Sequence, residues 1–152
     1  VEKVGITKAR IRAISISKEK GMPKVNVPEA EVAADFGIVG DAHAGSLLRQ
    51  VSLLAVESID KMVAEGLKVS PGDFAENITT EGIDLLALKV GSKLQIGGSV
   101  ELEVAQLGKQ CQGRCRVFEK AGDCIMPREG VFAKVTRPGR VKVGDIIEVF
   151  ND

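Results

Sequence analysis

The sequence predicts a mostly β fold, a closed or partly closed barrel with a few short helices. Short stretches of alternating apolar and polar residues recur along the chain, and seventeen glycines punctuate them. One turn device also occurs twice. This pattern suits a barrel or a sandwich rather than a helical bundle.

The elements follow in order. Ile14 and Ile16 alternate with Ser15 and Ser17, the period of a half-buried strand. Residues 22–28 read as a loop, and a strand-like stretch ends at Val39. Val56, Ile59, Met62 and Val63 share one helical face, which predicts a helix over residues 56–65, with Gly66 just past its end. Asn77-Ile78-Thr79-Thr80 is β-prone, and a short helical turn is expected over 83–88. Val100, Leu102 and Val104 alternate with Ser99, Glu101 and Glu103 in another strand. A second short helix is expected over 116–121, with Cys115 near its N-terminus. Residues 131–136 form a strand followed by an Arg137-Pro138-Gly139-Arg140 turn, and 146–150 close the chain. The repeated device is Leu88-Lys89-Val90-Gly91-Ser92-Lys93-Leu94-Gln95-Ile96, echoed by Val141-Lys142-Val143-Gly144-Asp145-Ile146-Ile147-Glu148-Val149. Two copies are too few for a solenoid.

Composition bounds the function. With 152 residues and no linker or low-complexity tract, one domain over 1–152 is expected. The net charge is zero, which disfavours a general nucleic-acid or membrane-surface binder. Trp and Tyr are absent, so single-strand stacking platforms are lacking. Three cysteines crowd into one segment instead of forming an even, spread framework. Free thiols, no span-length apolar run and no signal pattern at Val1-Glu2-Lys3-Val4 lead to an expected cytoplasmic location.

The densest chemistry lies in Gly108-Lys109-Gln110-Cys111-Gln112-Gly113-Arg114-Cys115-Arg116. Positive charge from Lys109, Arg114 and Arg116 favours the Cys111 thiolate, the form that attacks electrophiles and binds metals. Cys111, Cys115 and Cys124, with the lone His43, also invite a metal reading. The spacing lacks the second ligand pair of a structural zinc site, and three thiolates are too few for a four-cysteine iron–sulfur site. Cys115 and Cys124 read equally as small buried apolar residues.

Three further features are candidates. In Gly40-Asp41-Ala42-His43-Ala44-Gly45, His43 is the only imidazole available for acid–base work, and the alternative is an exposed turn. Arg49 beyond it is either an anion clamp or a solvated side chain. In Gly72-Asp73-Phe74-Ala75-Glu76-Asn77-Ile78, Glu76 and Asn77 either hold ring nitrogens or cap a turn. Lys109, Arg114, Arg116, Arg128, Lys134 and Arg137 form a local positive bias suited to a phosphate-bearing small molecule, without any Gly-rich nucleotide signature.

These segments, in this order, resemble a MOSC domain, the module named for the C-terminal part of molybdenum cofactor sulfurases. The resemblance covers about residues 10–150. It rests on the 40–45 stretch, Arg49-Gln50-Val51-Ser52-Leu53-Leu54, the 72–78 stretch, Val104-Ala105-Gln106 leading to Cys111, Gly130-Val131-Phe132-Ala133-Lys134-Val135 and Val143-Gly144-Asp145. It implies a barrel of MOSC type in a small stand-alone member. It also implies a molybdenum cofactor (molybdopterin) and a cysteine, by position Cys111, that carries a persulfide or ligates molybdenum. His43 would assist catalysis. Asp41, Arg49, Glu76, Asn77, Lys109, Arg114, Arg116 and Arg128 would bind the cofactor. Many relatives have Pro before the cysteine, where this chain has Gln110. No pyridoxal-phosphate desulfurase domain is present in this chain, so sulfur would come from a cysteine desulfurase or another donor. The alternatives are a molybdenum reductase of N-hydroxylated compounds served by a separate reductase partner, and a non-catalytic molybdopterin-binding module.

Overall fold

The computed structural model describes residues 2–3, 9–108 and 125–151. Its frame is a closed barrel of seven strands. Around the ring run β2 (Ala9–Ile16), β12 (Ile146–Asn151), β8 (Lys93–Ile96), β9 (Val100–Leu107), β10 (Val131–Arg137), β6 (Val51–Ala55) and β7 (Ile78–Glu81), which returns to β2. Ile146 pairs with Arg10 and Arg10 with Glu81, so β2 closes the ring on both sides. Closure removes the free sheet edge that otherwise invites association. Short β1 (Glu2–Lys3) extends from β12, and β3 (Val25–Val27) extends from β2. A separate three-stranded sheet joins β4 (Glu29–Ala33), β5 (Gly37–Ile38) and β11 (Gly139–Lys142).

Each barrel pairing is antiparallel except β6–β7, where Leu53 sits opposite Ile78. A parallel pair needs a crossover connection. Helix α1 (Val56–Ala64) supplies part of it, followed by the loop 65–77. Val56, Ile59 and Met62 are buried on its inner face, whereas Val63, expected on that face, is 47% exposed at the edge of the stripe. The chain turns away at Gly66 with φ 102°, which suits glycine. A single 3₁₀ turn covers Leu85–Ala87, and α2 (Met126–Glu129) leads into β10.

Alternation along the strands divides the apolar side chains into two cores. Ile11, Ile14, Leu53, Ile78, Leu94, Leu102, Val104, Val131 and Val149 fill the barrel. Leu54 and Phe132, one residue out of phase, pack outside it with Phe74, Ile59, Met62, Ile125 and Met126. The outer core binds α1, α2 and the 72–77 loop to the barrel wall.

Two expectations need correction. Residues 22–28 are not all loop, since Val25–Val27 form β3. None of these three residues is buried, and Val25 is 70% exposed, so no alternation marked the strand. The expected Arg137–Arg140 turn is also shorter. Gly139 and Arg140 already pair with Val32 and Glu31 in β11, so the chain changes sheets at Pro138. The repeated turn device places β8 beside β12, with Leu94 opposite Val149, and its glycines Gly91 and Gly144 adopt φ 98° and 95°.

Leu53 joins the parallel and antiparallel sides of the barrel and is fully buried. Leu53→Ala should cost about 2–5 kcal/mol in urea unfolding. Leu86→Ala, at a 51% exposed position, should shift stability by no more than about 0.5 kcal/mol. Equal losses at the two positions would contradict this division of core and surface.

Candidate functional site

Two loops that are distant in sequence meet at the C-terminal end of β2. Ser15 donates its backbone N–H to the Asn77 carbonyl at 2.7 Å, and Asn77 Nδ2 donates to the Ser15 carbonyl at 3.1 Å. Two residues on, Ser17 N–H donates to Asp41 Oδ1 at 3.1 Å, and Ala42 N–H donates to the Ser17 carbonyl at 2.8 Å. Lys24 ties both loops together. Its backbone N–H donates to the Gly72 carbonyl at 2.7 Å, while its side chain reaches the 40–45 loop.

The Lys24 side chain is wholly buried. Its Nζ donates to Asp41 Oδ1 at 2.7 Å and to Ser17 Oγ at 3.1 Å, and lies 3.1 Å from His43 Nδ1. The Asp41 side chain is equally buried, and its Oδ2 accepts the His43 backbone N–H at 3.1 Å. Burial pushes the Asp41 carboxyl up. The Lys24 hydrogen bond and charge outweigh this and, with the Ser17 and His43 N–H groups, hold it below the ordinary carboxylate range. The His43 side chain remains 21% exposed at the edge of this polar cluster.

Glu76 and Asn77 lie under the second loop, and both are fully buried. Asn77 stitches strands together: its Oδ1 accepts from Ser52 N–H at 3.0 Å, and its N–H donates to Ser52 Oγ at 3.0 Å. Glu76 Oε2 accepts from Gly72 N–H and the Thr79 hydroxyl, each at 2.9 Å. Glu76 Oε1 and Thr80 Oγ1 are the buried side-chain oxygens without a hydrogen-bond partner among the described residues. Burial pushes the Glu76 carboxyl above its ordinary range, and the Gly72 and Thr79 donors only partly offset it. Ala75 holds φ 66°, a left-handed conformation costing about 1–2 kcal/mol for a residue with a Cβ. It turns Phe74 into the outer core while Glu76 points beneath the loop. Gly72 has no room for a side chain, because a Cβ there would lie 2.5 Å from the Lys24 carbonyl oxygen.

Arg49 is exposed, and its guanidinium stands 5.9 Å over the Phe132 ring, a cation–π contact. Phe132 pairs with Ser52 on one side and Gln106 on the other. Gln106 Nε2 donates to the Gly108 carbonyl at 2.8 Å, and Gly108 N–H donates to the Gly130 carbonyl at 2.7 Å. The Asn77–Ser52–Phe132–Gln106 row therefore leads from the 72–77 loop across three strands, β6, β10 and β9, to the start of the cysteine-bearing stretch. Cys111, Cys115, Cys124, Lys109, Arg114 and Arg116 lie outside the described residues, as does the expected helix over 116–121. Arg128 is exposed on α2. Its neighbour Glu129 accepts from Ser58 Oγ and Lys61 Nζ, each at 2.6 Å, which fixes α2 against α1. Among the described residues, no group of three or more His, Cys, Asp or Glu side chains is arranged to hold a metal ion. No helix there is long and apolar enough to cross a membrane.

The MOSC domain family model matches residues 40–148, which contain Asp41, His43, the 72–77 loop and Cys111. The chain belongs to the MOSC domain family. Its association with the molybdenum cofactor makes this a molybdenum cofactor-related domain. Solved structures carry the same fold. The YuaD protein from Bacillus subtilis is 23% identical, with a TM-score of 0.77 over 94% of this chain and 96% of that one. YiiM from Escherichia coli is 18% identical, with a TM-score of 0.67 over 94% and 70%. YiiM from Geobacillus stearothermophilus is 18% identical, with a TM-score of 0.72 over 94% and 75%. No functionally curated protein matches the sequence.

Within this MOSC barrel, sequence reasoning missed Lys24. It lies upstream of the matched span, in Met22-Pro23-Lys24-Val25, where nothing distinguishes a buried lysine from a solvated one. Ser15, Ser17 and Ser52 were likewise not candidates, because their contribution is made through pairing across strands.

The raised pKa of Glu76 sets a pH dependence. A carboxyl whose folded value is raised contributes stability that is complete below the ordinary carboxylate range and lost as pH rises through the folded value. Glu76→Gln cannot ionise, so its melting temperature should gain on the parent's as pH rises from acid to neutral. An offset that stays constant across that range would remove Glu76 as the cause.

Proposed function

We propose that this MOSC domain binds the molybdenum cofactor and handles sulfur at Cys111, either carrying it as a persulfide or ligating molybdenum. The observation that supports this reading is the meeting of the two Gly-bounded polar loops on one face of the barrel, inside a family match that also contains Cys111. The donor chemistry fits an anionic cofactor. His43 is partly exposed beside the buried Lys24 side chain, and Arg49 and Arg128 are exposed residues. Lys109, Arg114, Arg116 and Arg128 would neutralise the pterin phosphate, with Arg49 and Asp41 framing the His43 side. Glu76 and Asn77 would act by shaping the loop, since both are committed to the scaffold. When bound, the cofactor would supply redox chemistry at molybdenum.

Sulfur transfer is balanced without an external oxidant. The Cys111 thiolate attacks the outer sulfur of a donor persulfide, a new S–S bond forms, the donor's S–S bond breaks, and the donor leaves as a thiolate. The donor is a cysteine desulfurase or an equivalent persulfide protein. In the second reading, the domain receives electrons from a reductase and reduces N-hydroxylated compounds.

Incubation with a cysteine desulfurase and cysteine should add a reducible sulfur-sized mass to Cys111, and Cys111→Ser should lose it. An adduct confined to Cys115 or Cys124 would contradict the carrier role. Protein from cofactor-competent cells should retain molybdenum, with turnover on N-hydroxylated compounds marking the reductase. Molybdenum retained without sulfur uptake or turnover marks a binding module.

A further inference from the structure

We infer that the outer wall of the barrel carries a second binding site, a cavity beside Lys93, Arg137 and Phe150 that takes a small aromatic monoanion, a carboxylate of the benzoate type. The cavity measures about 320 Å³ and is lined by Lys93, Gln95, Glu101, Arg137 and Phe150. That volume is at the small end of ligand pockets. The five residues come from four adjacent strands. Phe150 of β12 lies opposite Lys93 of β8, Gln95 of β8 opposite Glu101 of β9, and Glu101 opposite Arg137 of β10. Leu94, Ile96, Leu102 and Val149 fill the barrel, so alternation turns Lys93, Gln95, Glu101 and Phe150 outward. Val135 is also inside, and the register shift between Val135 and Arg137 brings Arg137 to the outer face with them. None of the five belongs to the loops around His43 and Asn77.

The charges select the ligand. Among the described residues, neither Lys93 nor Arg137 makes an ion pair or a side-chain hydrogen bond. Glu101 is the one acid in the lining, and its Oε2 already accepts the Thr136 hydroxyl at 2.6 Å. Gln95 Nε2 donates to the Gly98 carbonyl at 3.2 Å, which leaves its second N–H and its amide oxygen for a ligand. Two cations against one carboxylate leave a single positive charge in the lining. A monoanion fits that balance, whereas a cation does not. Glu103 and Glu148 lie on the same wall, opposite Lys93 and Gln95, and add negative charge beside the cavity. They disfavour a polyanion. The Arg137 guanidinium offers the paired N–H donors that match a carboxylate, and Lys93 adds a point charge. Phe150 supplies the apolar part, a half-buried ring at an outward position of its strand. An aromatic ring on the ligand gains contact there that a simple oxyanion cannot. The site stands apart from the molybdenum-cofactor reading and does not need it.

Benzoate titrated into the ¹⁵N-labelled full chain should shift the backbone amides of Lys93, Gln95, Glu101, Arg137 and Phe150 along one saturating curve, with a Kd of about 1–10 mM for a ligand of this size. Shifts that never saturate, or that centre on other strands, would overturn the site. Lys93→Met and Arg137→Gln, both at outward positions, should each weaken benzoate about tenfold. Unchanged affinity in either variant would remove that cation from the site and overturn the charge argument. The unaltered protein gives an independent test. Acetate lacks the ring and benzylamine reverses the charge, and each should bind at least about tenfold more weakly than benzoate. Acetate as tight as benzoate would overturn the role of Phe150, and benzylamine as tight would overturn the preference for an anion. Inorganic phosphate binding more tightly than benzoate would replace the aromatic monoanion with a simple oxyanion and overturn the assignment.

Discussion

The buried Lys24–Asp41 pair is the interaction on which the candidate site depends. Removing two charges from water is costly, and a buried ion pair is rarely kept for stability alone. Here each charge holds more than its partner. Asp41 accepts backbone N–H groups from Ser17 and His43, so it joins the end of β2 to the His43 loop. Lys24 reaches Ser17 and His43 with its side chain and the 72–77 loop with its backbone. One pair thus fixes the relative positions of a strand end and two loops. The barrel provides the rigid wall against which that arrangement is made.

The second loop is held by neutral hydrogen bonds. Asn77 bridges β2 and β6 from its place before β7, and Ser52 returns two of its bonds. A parallel β6–β7 pair made through a long crossover is the least locally determined pairing in the barrel. An asparagine whose side chain mimics a ladder partner on both sides fixes its register. Strain at Ala75 and the tight approach at Gly72 fit a loop shaped by its surroundings and not by its own preference.

The barrel was legible because its wall alternates. β9 alternates in burial as it does in sequence, and β2, β12 and α1 form where they are expected, although Ser15 of β2 is fully buried and Val63 of α1 is half exposed. β3 was not legible because none of its residues is buried, and four-residue α2 is too short to show a period. The site was half legible. The glycines around Asp41 and His43 marked a loop with chemistry in it, but the partner that orients His43 lies nearly twenty residues upstream in unremarkable sequence. Glu76 and Asn77 stood out by type and position. Their burial, which directs them into the scaffold, is a property of the closed barrel and has no sequence signature.

The most direct measurement of this account is a double-mutant cycle on the pair in equilibrium unfolding, using Lys24→Met, Asp41→Leu and both together. Either single change strands a buried charge and should cost about 3–5 kcal/mol. The double variant should be more stable than the sum of the two losses by about 1–3 kcal/mol. Losses that add to within about 0.5 kcal/mol would mean that Lys24 and Asp41 act independently, and that the loops are held together by something else.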